Sequence, residues 1–278
     1  MPYSPYMNMA CISKMSVLKE IFEYRTMIFS LVKKDLRARY KASVLGFLWT
    51  FINPLLQLIV YTFVFSIIMR SDIEQYYIFL FIALVPWIFF SSSLTAGAGS
   101  ILAQKDMVKK IYFPREVIPI SFVTTGFVNM LLTFLVVFLV LIVTGFGMNL
   151  EALAFLPIVM LIEYFFALGI TLIVSGLTVY FRDLEYILGI ITMIWQYLTP
   201  VLYSQSMVEE QLKDHPFMLK AWNLNPTTPI INAYREILYY KQIPDLANLT
   251  SAIVLGMVVC VIGFISFRKL QKGFAEVL

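Results

Sequence analysis

The chain has 278 residues, of which 60% are hydrophobic and 14% charged, with a mean hydropathy of +0.82 and a formal net charge of +4. A soluble domain carries roughly a quarter charged residues, so this balance excludes a soluble enzyme and places the chain in a membrane. With a pI near 8.9, where the cations fall along the chain matters more than their sum.

Residues 1–13 carry no charged side chain and lack the basic-then-apolar layout of a secretory signal, so the start reads as retained and cytosolic. From Val17 to Leu36, apolar residues recur at three- and four-residue steps while Lys19, Glu20, Lys33, Lys34 and Arg37 fall between them. This spacing predicts an amphipathic helix lying in the membrane interface, in contact with lipid head groups.

Six segments follow that are long enough to cross a hydrocarbon core of about 30 Å. Residues 42–69, 75–104, 117–150, 186–208 and 246–267 contain no Asp, Glu, Lys or Arg, and residues 152–181 contain only Glu163. The expected fold is therefore an all-α integral membrane protein: a cytoplasmic segment 1–43, a six-helix domain 44–267 and a cytoplasmic tail 268–278. Sixteen of the 21 Lys and Arg lie in 1–43, 105–116, 182–185 and 268–278, which places both termini and these loops on the cytoplasmic side. The segment 209–245, between spans five and six, then faces outward. Its Thr228-Pro229 start and the apolar set Ile230, Ile231, Tyr234, Ile237 and Leu238 predict a short helix there.

Several chemistries are missing. No Gly-rich loop ending in Gly-Lys-Ser/Thr is present to cradle phosphates, so the chain has no ATPase site of its own. His215 is the only histidine, so neither a His-based metal site nor a Ser-His-Asp arrangement can be built; no catalytic residue, metal or nucleic-acid partner is expected. The carboxylate pairs Asp72/Glu74, Asp183/Glu185 and Glu209/Glu210 each sit at a span end, where solvated charge is normal. Glu163 is the one ionisable residue well inside a span, and is a functional candidate because burial in lipid is costly. The small residues Gly97, Ala98, Gly99, Gly169, Ser175 and Gly176 allow close helix packing, within a subunit or between two. Cys11 and Cys260 fall too far apart in this topology to pair.

Several stretches together resemble the permease subunits of polysaccharide-exporting ABC transporters. They are LVKKDLRARYKASVLGFLWTFINPL at 31–55, VPWIFF at 85–90, KKIYFPREVIP at 109–119, VYFRDL at 179–184, TPVLY at 199–203, NPTTPIINAYR at 225–235 and the tail GFAEVL at 273–278. The resemblance implies export of a polyprenyl-diphosphate-linked O-antigen, capsule or teichoic acid chain across a bacterial cytoplasmic membrane. It also implies a permease dimer working with two copies of an ATP-binding subunit, which supplies the ATP and Mg site. In that reading 104–116 is the coupling loop, with Lys105, Asp106, Lys109, Lys110 and Tyr112 meeting the ATPase. Arg37, Arg39 and Lys41 are candidates for the substrate pyrophosphate, because guanidinium groups take phosphate oxygens in bidentate fashion. Trp49, Tyr61, Phe65, Trp195 and Tyr197 are candidates to line a sugar path, and the outer segment 209–245 to gate its exit. The alternatives are a permease for a drug or ordinary lipid, and a membrane-embedded glycan transferase dependent on Asp183 or Glu185.

Overall fold

The computed structural model describes residues 17–40, 45–68 and 72–278. Among them the chain is helical throughout, with no strand. The interfacial segment forms two helices, α1 (Val17–Glu23) and α2 (Arg25–Tyr40), broken at Tyr24. Only part of the predicted apolar stripe is covered: Leu31 and Val32 are buried against the bundle, while Phe22 and Phe29 stay exposed.

The bundle proper begins with α3 (Trp49–Thr62), which opens into a wider π-type turn over Phe63–Ile68, and α4 (Tyr76–Ala98). Because α4 is apolar on every side, it can be stable only if surrounded. It occupies the centre, packed by α3, by α7 (Val117–Val143), by α9 (Leu156–Thr178), by α10 (Leu184–Leu198) and by α13 (Thr228–Leu238). Short helices α5 (Ser100–Ala103) and α6 (Lys105–Lys110) join α4 to α7, and α8 (Leu150–Leu153) precedes α9. Beyond α10 come α11 (Gln205–Gln211), α12 (Pro216–Asn223) and α13, then α14 (Leu246–Leu270) and the terminal α15 (Phe274–Val277).

Starts are capped where the sequence offers an oxygen: Asn149, Ser204 and Asp245 each accept from a backbone N–H of the first turn of α8, α11 and α14. Among the described residues, five helical segments are long and apolar enough to cross a membrane: Trp49–Ile68, Tyr76–Ala98, Val117–Val143, Leu150–Thr178 and Leu246–Gly273. The sixth predicted span, 186–208, is different. Its helix α10 has 15 residues, about 22 Å at 1.5 Å per residue, and stops at Thr199 because Pro200 disfavours helical backbone in the residue before it.

The most extensive helix pairing joins α9 and α14. A Cβ on Gly263 would lie 2.3 Å from the Gly169 carbonyl oxygen, and one on Gly169 would lie 2.6 Å from the backbone of Val259 and Cys260. Backbone meets backbone here, which only glycine permits. Gly97 likewise faces Thr171 and Gly176 faces Leu270, so these small residues serve packing within the subunit. Cys260 is buried and unpaired, and Cys11 lies outside the described residues.

Candidate functional site

At the end of the bundle where α2, α6 and α15 gather, a short loop presents charge on buried pegs. Val108 and Phe113 are each only 6% exposed and fix the segment to the core. Lys105, Asp106, Lys109 and Lys110 project outward, and Tyr112 is 71% exposed. Lys34 of α2 reaches Gln104 at 3.5 Å, so the first helices and the loop form one surface. Arg268 closes this end by pairing with Glu20 at 3.2 Å and with the buried Glu116 at 3.1 Å, while Gln271 donates to the same Glu116 oxygen at 3.0 Å. The first helix, the loop and the end of α14 are thus tied through one guanidinium. Pro114 is buried ahead of α7, and Pro119 falls in its first turn, where a missing N–H costs nothing.

Of the pyrophosphate candidates, Arg37 is exposed on α2, Arg39 falls in its last turn, and Lys41 lies outside the described residues. The cavity of about 450 Å³ beside this helix is lined by the carboxylates of Asp35 and Glu185 together with Ala38, Ser100 and Gln104. No cation lines it.

The aromatic candidates divide between two helices that both rest on α4. Trp49 borders a groove of about 230 Å³ between α3, α4 and α7, shared with Asn53, Phe89 and Asn129. Tyr61 is half-buried on α3, and Phe65 stacks on Tyr76 with ring centroids 5.9 Å apart. Tyr197 is exposed, whereas Trp195 is already occupied: its Nε1 donates to Asn225 Oδ1 at 2.9 Å and its ring meets Phe90 edge-on at 5.1 Å. Beyond these, α3 leaves Leu56, Ile59 and Val60 uncovered, the turn after it leaves Phe63, and α10 leaves Ile187, Ile190, Ile194 and Leu198.

The residues that organise the other end were not singled out from sequence. Asn225 spans the gap between α10 and α13. Its Oδ1 accepts from Trp195 Nε1, from Thr227 N at 3.1 Å and from Thr227 Oγ1 at 2.7 Å, and its Nδ2 donates to Leu198 O at 2.9 Å and Thr199 Oγ1 at 3.0 Å. Ten residues on, the buried Arg235 donates Nη1 to the carbonyls of Pro200 and, at 3.1 Å, Tyr203, and Nη2 to Val201 O at 2.6 Å. Its guanidinium lies 3.6 Å over the Phe79 ring, and Tyr76 donates to Leu202 O at 2.6 Å. Four consecutive carbonyls that Pro200 detaches from any helix ladder are thereby satisfied. The Tyr203 hydroxyl donates to the Tyr197 carbonyl and ties the turn back to α10.

Glu163 is 2% exposed in α9 and accepts from the Tyr234 hydroxyl at 2.6 Å. The neighbouring Arg235 and Tyr234 thus fasten α13 to two different parts of the bundle. The stretches 199–203 and 225–235, noted separately in the sequence, are the two halves of this one clasp. The visible signal was a lone arginine inside the apolar face of α13, and its partners 32 to 35 residues away were not visible.

The described residues thus form a helical bundle with a charged loop at one end and a clasped helix hairpin at the other, with helices long and apolar enough to cross a membrane. The chain belongs to the ABC-2 type transporter family, whose sequence pattern matches residues 26–239. It is 34% identical over 260 residues to the O-antigen export system permease protein RfbA of Myxococcus xanthus, covering 94% of this chain and 98% of that one. It is 35% identical over 250 residues to the O-antigen export system permease protein RfbA of Klebsiella pneumoniae, covering 89% and 93%. The polysialic acid transport protein KpsM of Escherichia coli is 23% identical over 252 residues, covering 88% and 93%.

Proposed function

We propose that this chain is the membrane subunit of an exporter that moves a lipid-linked polysaccharide, of O-antigen or teichoic acid type, outward across the bacterial cytoplasmic membrane. The observation that carries this reading is similarity over nearly the whole chain to permeases named for O-antigen export. The energy comes from two copies of a separate ATP-binding subunit, which holds ATP and Mg. The end bearing α2, α6 and α15 is cytoplasmic, as its cations favour. There Lys105, Asp106, Lys109, Lys110 and Tyr112 meet the ATPase, and the buried Val108 and Phe113 make the loop stiff enough to transmit a push.

The uncovered apolar faces of α3 and α10 support pairing with a second copy, the substrate passing between them. In this arrangement α10 and the turn at 199–203 complete a sixth crossing, and α11 to α13 cap its outer end. Arg37, Arg39 and Lys41 receive the pyrophosphate as it leaves the inner leaflet. Trp49, Tyr61, Phe65 and Tyr197 offer ring faces to passing sugars, while Trp195 holds the path's wall through Asn225.

The test is to purify the tagged chain gently from its own host membranes and assay what accompanies it. An ATP-binding subunit at equal stoichiometry, ATP hydrolysis by the complex, and intracellular accumulation of lipid-linked glycan when the chain is deleted are the expected results. Recovery of a well-folded chain alone, with surface glycan unaffected by its deletion, would overturn the reading.

A further inference from the structure

Beside the coupling loop, a groove of about 790 Å³ opens between residues 108–116, Glu20 of α1 and the end of α14. Five cations line it, Lys109, Lys110, Arg115, Arg268 and Lys272, against two carboxylates, Glu20 and Glu116. Both carboxylates are consumed by Arg268, as described above. Arg115 is held too: Nη1 donates to the Gln271 carbonyl, and its guanidinium lies 5.7 Å over the Phe274 ring. The three lysines are exposed and have no ion pair among the described residues. The groove therefore carries a net charge of +3 on a rigid floor, a charge pattern that takes an anion.

Its depth narrows the choice. Glu116 immediately precedes α7 and Arg268 lies in the last turn of α14, so the groove sits where two membrane-crossing helices end, at the level of lipid head groups. On its rim Ile111 is 56% and Tyr112 71% exposed, an apolar and an aromatic side chain beside cations, as suits the boundary between acyl chains and head groups. Basic pockets between spans at a cytoplasmic face bind anionic lipid phosphates. We infer that this groove holds the head group of an anionic glycerophospholipid, its phosphate between Lys109, Lys110 and Lys272 and its acyl chains along the ends of α7 and α14. A lipid bound there bridges the coupling loop to α14, so the composition of the inner leaflet adjusts the stiffness of the surface that the proposed ATPase engages.

The test uses the full chain in its native complex, reconstituted in phosphatidylcholine nanodiscs, with phosphatidylglycerol titrated in and retained lipid read by native mass spectrometry. Phosphatidylglycerol should remain bound where phosphatidylcholine does not. Lys272→Gln should weaken it about fivefold, and Lys109→Gln with Lys272→Gln about 25-fold. Lys213→Gln, an exposed site at the opposite end, removes the same net charge and should leave binding unchanged. Equal retention of the two lipids, or unaltered phosphatidylglycerol binding in the double variant, would overturn the inference. Displacement of the lipid by millimolar inorganic phosphate would assign the groove to free anions instead. An effect of Lys272→Gln on ATPase association with none on lipid would assign it to the protein partner. Lys272 lies outside the coupling helix, so failure of the lipid site leaves the transport reading standing.

Discussion

Arg235→Met would remove the guanidinium that holds the turn between α10 and α11. Three carbonyl bonds to a charged donor are worth about 1.5–3 kcal/mol each, and a desolvated cation over an aromatic face adds up to about 2 kcal/mol. Set against this gross loss of roughly 5–11 kcal/mol is the desolvation cost of the buried guanidinium, several kcal/mol, which the substitution recovers. The net cost is about 3 kcal/mol, or a fall of roughly 6–12 °C in the unfolding temperature at 2–4 °C per kcal/mol. Arg235→Lys keeps the charge but cannot reach carbonyls spread over four residues, and it buries a more strongly hydrated ion; it should be no more stable than the methionine variant. Thermal unfolding in detergent gives the stability. Cysteine labelling gives the local effect: on a background with Cys11 and Cys260 replaced by alanine, Leu202→Cys should be protected in the parent and labelled once Arg235 is gone, because Leu202 is 1% exposed behind the clasp. If Arg235→Met unfolds with the parent and Leu202→Cys stays protected, or if Arg235→Lys restores both, the fork of carbonyl bonds is not what holds the turn.

Further substitutions test four other joints. Gly263→Ala places a Cβ 2.3 Å from the Gly169 oxygen, so α9 and α14 must separate by about 1 Å, at a cost of about 1–3 kcal/mol; a neutral result in thermal unfolding would contradict the close approach. Tyr234→Phe leaves the buried Glu163 without its donor and should cost about 1–3 kcal/mol, whereas Glu163→Gln keeps an acceptor and should cost less; a double-mutant cycle without coupling would refute the pair. Asn225→Ala deletes five hydrogen bonds and should lower both stability and Trp195 emission constancy on heating, by about 2–4 kcal/mol in unfolding free energy. Lys109→Glu with Lys110→Glu should leave folding intact and uncouple ATP hydrolysis from glycan export, measured on the reconstituted complex; unchanged export would remove α6 from the coupling surface.

Much of the bundle was readable because hydropathy is a local property: a run free of charge must be buried or lie in lipid, whatever surrounds it. Five of the six predicted spans are matched by helices of sufficient length. The sixth is matched by a shorter apolar helix, Leu184–Leu198, and the difference turns on another physical quantity. A charge-free window does not register that Pro200 ends α10 after 15 residues, although the Thr-Pro step itself was there to be seen. The helix at Thr228–Leu238 was anticipated from its proline start and apolar spacing, and all five of its predicted apolar residues are buried. Its arginine carries no such local sign, because a cation in an outward segment looks like ordinary surface charge. Only the tertiary fold, bringing Arg235 onto Phe79 and the 200–203 carbonyls, turns it into a structural centre. Glu163 shows the opposite case: charge inside a span marked it out, but nothing local names Tyr234, 71 positions later, as its partner.

The distribution of these joints says where the molecule can move. Helices α4 and α9 are locked by burial, and α14 is fixed to α9 by glycine contacts of backbone on backbone, so the three form a frame that resists shear. The frame carries the charged loop 104–116 at one end through Glu116 and Arg268, and the clasp at the other through Glu163 and Tyr234. By contrast α3 and α10 rest on this frame by one side only and leave their other faces uncovered. Few buried contacts mean a low cost of displacement. If the ATPase pushes at α6, as proposed, the frame passes that push to the other end with little loss, and the two helices proposed to face the path take it up as movement. Cross-linking α3 to α4 or α10 to α4 should accordingly stop export while ATP hydrolysis continues, whereas cross-linking α9 to α14 should change neither. Export that survives the first pair of cross-links, or stops with the last, would place the moving parts elsewhere.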